Sequence, residues 1–300
     1  MAFSRDAKEA SMRCGLSGYS MIRPLRAGEI DLLGLVDLAH KWGFEGFEML
    51  DMCWPGNGAL VDHAHRLRQR CEALGLVLSS YTIHSNFAQM TAERQQAEVR
   101  RVKEAIDIGE ELGVGVMRVE STNGAPKDYQ GPAEWADLLP WLVAGIREAA
   151  DYAATKHIRL GLENHGRLVG RSAQIEELIL KVDSPYFGAN PDIGNFYVVD
   201  EEPLEALQRL AKYAVHVHVK DFHRQPPGAE VGKGWFESNG GYQLQGAIIG
   251  EGVVDVVGCL RELKRFQYDG FLSLEFEGPE DPKVGCSKGL ANLRTILASL

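Results

Sequence analysis

The chain has 300 residues, 45% of them hydrophobic and 25% charged, with a formal net charge of -10. That charge repels a phosphate backbone and argues against nucleic acid as a partner, and no apolar run reaches the length of a membrane span. Cys14, Cys53, Cys71, Cys259 and Cys286 are scattered without a Cys-x-x-Cys pair, which argues against a zinc ribbon or disulfide framework and fits a reducing cytoplasm.

Residues 1–11 are polar and patternless. With Arg5, Asp6, Lys8 and Glu9 they lack the apolar core of a signal peptide, and they read as an extension ahead of one catalytic domain over 12–300. Strand one is expected near 12–17, followed by a helix from about Glu29 to Trp42. Strand two, 46–50, leads into Asp51. A helical stripe from Leu60 to Leu74 stops at Gly75. Strand three, 76–83, ends at His84, and Thr91 caps the long helix after it. Strand four, 115–119, ends in Glu120. Trp135 to Ala153 carry the next helical period. Pro140 interrupts it, so a short helical piece and a restart with proline in the first turn are expected. Strand five, 158–163, runs into Asn164 and His165, and Ser172 caps the helix that follows. Strand six ends at Asp192, and a short helix follows the acidic 200–202 stretch. Strand seven ends at His218. A long glycine-rich connection spans Asp221 to Gly252, then a helix from about Asp255 to Phe266. Strand eight ends at Glu275, and Asp281 caps a last helix with Pro282 in its first turn. Eight strand-helix pairs without a composition break predict a single (β/α)8 barrel. A doubly wound open sheet is the alternative, but no Gly-x-Gly-x-x-Gly follows strand one.

Four of these apolar strands terminate in a group able to bind a metal: Glu163, Asp192, His218 and Glu275. A barrel gathers its C-terminal strand ends at one mouth. Two glutamates, an aspartate and an imidazole suit one divalent ion, Mn(II), Mg(II), Co(II) or Zn(II), rather than a thiolate-loving metal. The expected partner is a small sugar or cyclitol. The ion would polarise a carbonyl while Glu163 and Glu275, one on either side, remove and return a neighbouring C–H proton. Glu48 and His84 lie where they either face the mouth or pack beneath it. His165 fits a contact with substrate or Glu163. Lys220 fits an anionic substrate group or a carboxylate of a neighbouring strand. Trp235, like Trp54, Phe236 and Tyr242, lies in a loop and either stacks on a sugar ring or packs the loop. His216, two residues before His218, reads as a hydrogen-bonded core histidine. Nothing in the sequence opposes a homo-oligomer.

The segments Gly-Leu-Glu163-Asn-His-Gly, Asn-Pro-Asp192-Ile-Gly-Asn, His216-Val-His218-Val-Lys-Asp, Gly250-Glu-Gly-Val-Val-Asp255 and Leu-Ser-Leu-Glu275 resemble the xylose isomerase-like barrel superfamily (AP endonuclease family 2). The resemblance is to its sugar phosphate isomerase and epimerase branch, over nearly the whole chain. It implies that Glu163, Asp192, His218 and Glu275 bind the metal, and that Arg224, six residues past the histidine, holds substrate hydroxyls. The family's ketose epimerases carry a histidine where this chain has Asn195, and a substrate-binding glutamate where it has Val169, departures that point away from a free ketose. The resemblance therefore implies a metal-dependent isomerase or epimerase working through an enediolate, with a dehydratase of the inosose or dehydroshikimate type as the alternative. An endonuclease IV-like phosphodiesterase needs a larger histidine set, and a non-catalytic sugar-binding barrel would not need the four ligands.

Overall fold

Strands covered on both faces need nearly unbroken apolar sequence, and the parallel strands form where the chain supplies it. The structure, a computed structural model, describes residues 11–300, so the expected extension over 1–11 lies, but for Ser11, outside the described residues. In chain order the strands are β1 (Arg13–Ser17), β2 (Gly46–Leu50), β3 (Val77–Thr82), β4 (Val116–Val119), β5 (Arg159–Glu163), β6 (Phe187–Asn190), β7 (Val217–Val219), β8 (Asp221–Gln225), β9 (Phe236–Glu237), β10 (Gln243–Ala247) and β11 (Phe271–Leu274). The α-helices are α1 (Ile22–Arg26), α2 (Leu32–Trp42), α3 (Leu60–Leu74), α4 (Ala92–Leu112), α5 (Trp135–Thr155), α6 (Ser172–Val182), α7 (Pro203–Leu210), α8 (Val256–Arg265) and α9 (Pro282–Ala298).

Eight strands join in the order β6-β5-β4-β3-β2-β1-β11-β7, each neighbour parallel. Parallel bridges between Ala189 and Ala214 and between Asp192 and His218 bring the two edges, β6 and β7, together. The result is a nearly closed (β/α)8 barrel with helices between its strands. Sequence signals set many of the helix boundaries. Thr91 and Asp255 cap α4 and α8 by accepting from the backbone N–H of Arg94 and Gly258, and Asp281 with Pro282 opens α9.

Four details depart from the sequence expectations. The second helix starts at Leu32 rather than near Glu29, because the Asp31 carboxylate caps it through Gly34 N at 2.7 Å. Ahead of it, an unforeseen 3-10 turn (Gly18–Met21) runs into α1. Helix α5 is continuous, with Pro140 inside it on the exposed face. The buried stripe of Leu138, Leu142, Ile146, Ala149 and Ala153 continues through the proline, and that packing outweighs the single lost backbone bond. Ser172 is the first residue of α6 rather than its cap; its N–H and hydroxyl donate to Glu201 instead.

The long connection is also more ordered than a loop. β8, β10 and β9 form a separate antiparallel sheet. Buried Asp221 anchors it, its carboxylate accepting from the N–H groups of Gly250, Gly252 and Val254 at 2.9 to 3.1 Å. Gly246 lets β10 lie flat on the segment after β11: a Cβ there would stand 2.5 Å from the Glu277 carbonyl carbon and 2.8 Å from Gly278 N. Backbone cannot rotate out of the way, so Gly246→Ala is expected to destabilise the protein by about 1–3 kcal/mol. Thermal unfolding checks this, and an unchanged melting temperature would mean the contact yields freely.

Candidate functional site

Parallel pairing puts consecutive strand ends at one level. Glu163 ends β5, Asp192 lies two residues past β6, His218 lies within β7, and Glu275 directly follows β11. All four are buried, and one ligand-type atom from each lies within 4.8 Å of the others. His218 Nδ1 is 3.1 Å from Glu163 Oε1 and 2.9 Å from Glu275 Oε2. Asp192 Oδ1 accepts from the N–H groups of Gly194 and Asn195 at 2.8 and 3.0 Å. Asn164 brackets the Asp192 backbone through both its N–H and its carbonyl.

Burying so many carboxylates has electrostatic consequences. At Glu163 burial opposes ionisation, but Arg118 and His218 outweigh it and hold the carboxyl below the usual range. Glu275 is brought down to about 2, Lys220 and His218 overriding burial. At Asp192 burial prevails: opposed by Lys220 but reinforced by Glu275 and Glu163, it pushes the carboxyl up to about 6. Burial disfavours a charged His218, yet Glu48, Glu163 and Glu275 hold it well above an ordinary imidazole. Glu48, Glu120, Glu163, Asp192 and Glu275 are all buried. The buried cations facing them are Arg118, Lys220 and the imidazolium of His218, whereas burial keeps His216 below its usual value despite Glu48. Among these buried groups the carboxylates outnumber the cations.

One acceptor is also unsatisfied. Asp192 Oδ2 is buried without a hydrogen bond; Lys220 Nζ lies 3.2 Å away but outside hydrogen-bonding angles. Three carboxylates and an imidazole nitrogen aimed at one point, with surplus negative charge, fit a divalent cation that prefers oxygen and nitrogen donors.

His218 and Glu275 of the quartet line a cavity of about 120 Å³, which by the size of one water position holds on the order of ten waters and so one small polyol. Tyr19, Thr82, His84, Arg118, Glu120, His165 and Glu277 are among the residues lining it. His84 Nδ1 is 2.9 Å from Asp51 Oδ1, and His165 Nδ1 is 3.1 Å from Glu120 Oε1. His165 thus pairs with Glu120. Asn195 spans the floor, donating to Glu163 Oε1 at 3.3 Å and accepting from Lys220 at 3.3 Å. Lys220 reaches Asp192, Glu275 and Glu277 at 3.0 to 3.2 Å, so it engages carboxylates of neighbouring strands. Glu48 also lines the cavity, at its base, where it packs against His216 and His218, and His216 is the buried, hydrogen-bonded histidine expected.

Two expected contacts lie elsewhere. Arg224 belongs to β8 rather than a flexible connection. Its guanidinium packs between the rings of Tyr242 and Tyr197, 3.8 and 4.7 Å from their centroids, and pairs with Glu202. It does not line the cavity, and neither does half-buried Trp235, just before β9. Arg118, which the sequence reading passed over, joins Glu163 to Glu120 from inside β4. A lone arginine between Met117 and Val119 in an apolar strand was its signal, since a charge is buried there only with partners.

The Asp51 hydrogen bond, against burial, raises His84 above an ordinary imidazole. A raised folded value means the pairing stabilises fully below the ordinary imidazole value and loses its effect as pH climbs through the raised one. In an NMR titration His84 should therefore titrate above the reference value and fall back in Asp51→Asn; an unchanged titration would show that the pair is not formed.

Known proteins share this architecture. Residues 36–296 match the family of the xylose isomerase-like TIM barrel. The 3-oxo-isoapionate decarboxylase of Pectobacterium atrosepticum is 30% identical over 248 residues, 81% of this chain and 78% of that protein. The L-ribulose-5-phosphate 3-epimerase UlaE of Escherichia coli is 28% identical over 288 residues, 89% of each chain. Among solved structures, the IOLI protein with a binding zinc atom aligns at a TM-score of 0.75 and 16% identity, covering 96% of this chain and 99% of that one. The chain belongs to the xylose isomerase-like TIM-barrel family.

Proposed function

We propose that this protein is a divalent-metal-dependent enzyme acting on a sugar or sugar-like polyhydroxy carbonyl compound, as an isomerase or epimerase that moves a proton at a carbon beside the carbonyl. The observation that carries the reading is the quartet, four ligand-type atoms of Glu163, Asp192, His218 and Glu275 within 4.8 Å of one another at the end of the barrel where active sites form. The epimerase among the relatives and the zinc of the IOLI protein support it. Held by these four side chains, a divalent ion supplies Lewis acidity that makes the neighbouring C–H acidic.

Proton movement then falls to Glu163 and Glu275, which are not equivalent. Glu163 has its oxygens engaged by Arg118, His218 and Asn195. Glu275 keeps a side chain 10% exposed to the cavity, against 1% for Glu163. Its cationic neighbour Lys220 also has Asp192 and Glu277 to turn to, so Glu275 is the better placed to hold a proton. His84 and His165 each have one ring nitrogen bound to a carboxylate and offer the other to substrate hydroxyls.

A lyase is the second reading, favoured by the decarboxylase at 30% identity. There the same electron pair on carbon arises as carbon dioxide leaves, or expels a β-hydroxyl as water.

After loading with Mn(II) and desalting, the wild-type chain should retain one ion by elemental analysis and His218→Ala only background; equal retention would sink the quartet. A panel of aldoses, ketoses, inososes and 3-oxo sugar acids in deuterated water separates the reactions. Deuterium gained without loss of carbon or water marks an isomerase or epimerase, whereas carbon dioxide or an unsaturated product marks a lyase. On the substrate so found, metal-loaded Glu275→Gln should lose deuterium exchange by about 100-fold or more, because an amide ligates through oxygen but accepts no proton at neutral pH. Exchange at the wild-type rate in both Glu275→Gln and Glu163→Gln would remove the glutamates from proton transfer.

A further inference from the structure

Two groups of candidate ligands share His218. One is the quartet, which meets its Nδ1 edge; the other is Glu48 with His216, which meets its Nε2 edge. Their hydrogen bonding differs. In the inner group Glu48 Oε1 receives the Thr82 hydroxyl at 2.6 Å and faces His218 Nε2 at 3.0 Å, while Oε2 lies 2.9 Å from His216 Nε2. Ser273 Oγ, 2.9 Å from the same His216 nitrogen, completes the network. The two rings stand edge to face, 5.6 Å apart at 86°, so both Nε2 atoms reach one carboxylate. Neither Glu48 oxygen lacks a partner, whereas the outer group leaves Asp192 Oδ2 bare.

A carboxylate offers acceptor sites only, and two oxygens have room for three donors. The arrangement is consistent only if both imidazoles present Nε2–H to Glu48. A neutral imidazole protonated at Nε2 has its lone pair at Nδ1, on the edge facing Glu163 and Glu275. Resting on the metal centre proposed above, we infer that Glu48 is a positioning residue: it holds His218 with its proton on Nε2 and its Nδ1 lone pair toward the outer quartet, and it keeps the inner group free of a second ion. Such an outer partner also fixes the ring plane and makes the ligand nitrogen more basic. Because Glu48 is fully buried at the centre of β2, the scaffold sets the ring plane and the Nε2–H before any ion arrives; the Nδ1 proton, held between Glu163 and Glu275 in the ion-free imidazolium, leaves when an ion binds.

The test uses the full chain and zinc(II) alone. Wild type should bind one equivalent. Imidazole 15N spectra of the zinc-loaded protein should show His218 metal-bound at Nδ1 and protonated at Nε2, with His216 unshifted by zinc. Glu48→Gln keeps the shape but removes the charge and half of the acceptors, and should weaken zinc binding at least about 10-fold in protein whose thermal unfolding remains cooperative. A merely structural Glu48 would lower the melting temperature and leave the dissociation constant of the folded protein alone, and that result overturns the inference. Zinc on His218 Nε2, or a second equivalent that shifts His216, overturns it too. Should Glu48→Gln fail to fold, the wild-type spectra decide by themselves. Absence of zinc binding in wild type would remove the metal centre itself; wild-type binding with undiminished affinity in folded Glu48→Gln removes only the role of Glu48.

Discussion

Like charges held together out of water set the terms for this barrel. Three carboxylates of the quartet converge on one imidazole, and without compensation each would cost several kcal/mol to bury in ionised form. Compensation comes from fixed positions around the ring. Arg118 reaches in from β4 against Glu163, Lys220 stands just past β7 against Asp192 and Glu275, and Asn195 links the Glu163 side to the Lys220 side. Those cations do not cancel the negative charge. The surplus is the strongest physical reason for a dication at this point, because it concerns the whole mouth and not the identity of any one ligand.

Closure of the fold and construction of the site are the same event. The β6 and β7 edges meet only through isolated bridges, and one of them pairs Asp192 with His218. Backbone bonds from His218 N to the Pro191 carbonyl and from Ile193 N to the His218 carbonyl lock that junction at 3.0 and 3.1 Å. Two members of the quartet are thus fixed by the contact that completes the ring. The small β8-β10-β9 sheet bears on the site from the other direction, since Gly246 packs on the backbone of Glu277, whose side chain meets Lys220.

Much of this was legible in the sequence, for identifiable reasons. Parallel strands announce themselves as apolar runs, and Thr91, Asp255 and Asp281 mark helix starts by a hydrogen bond local in sequence. The four residues could be grouped from the sequence because each was expected at or beside a strand end, and the barrel brings those ends together. What depends on contacts between distant segments was hidden. Pro140 looked like a break because the period of its helix competes with the proline rule, and burial of the stripe decides the outcome. Arg224 was expected at the substrate from the resemblance, and nothing near it in sequence reveals that Tyr197 and Tyr242 close over it. Arg118 was missed because, although a lone charge in an apolar strand signals buried partners, the sequence does not say that these are Glu163 on the adjoining strand and Glu120 at its own strand's end.

The proposed ion and the two glutamates make and discharge an electron pair on carbon whichever bond is broken, so they do not by themselves select among reprotonation, loss of water and loss of carbon dioxide. Selection falls to the groups that hold the substrate's other oxygens. On the proposed reading those are the rim histidines that line the cavity, His84 steadied by Asp51 after β2 and His165 steadied by Glu120 after β4. Glu120 is in turn fixed by Arg118, which also grips Glu163. Ligand, arginine, carboxylate and rim histidine therefore form one connected chain of contacts from the quartet to the opening. A change at Glu120 or Arg118 reaches both ends of that chain, so the rim histidine His165 and the buried carboxylate of Glu163 are structurally coupled.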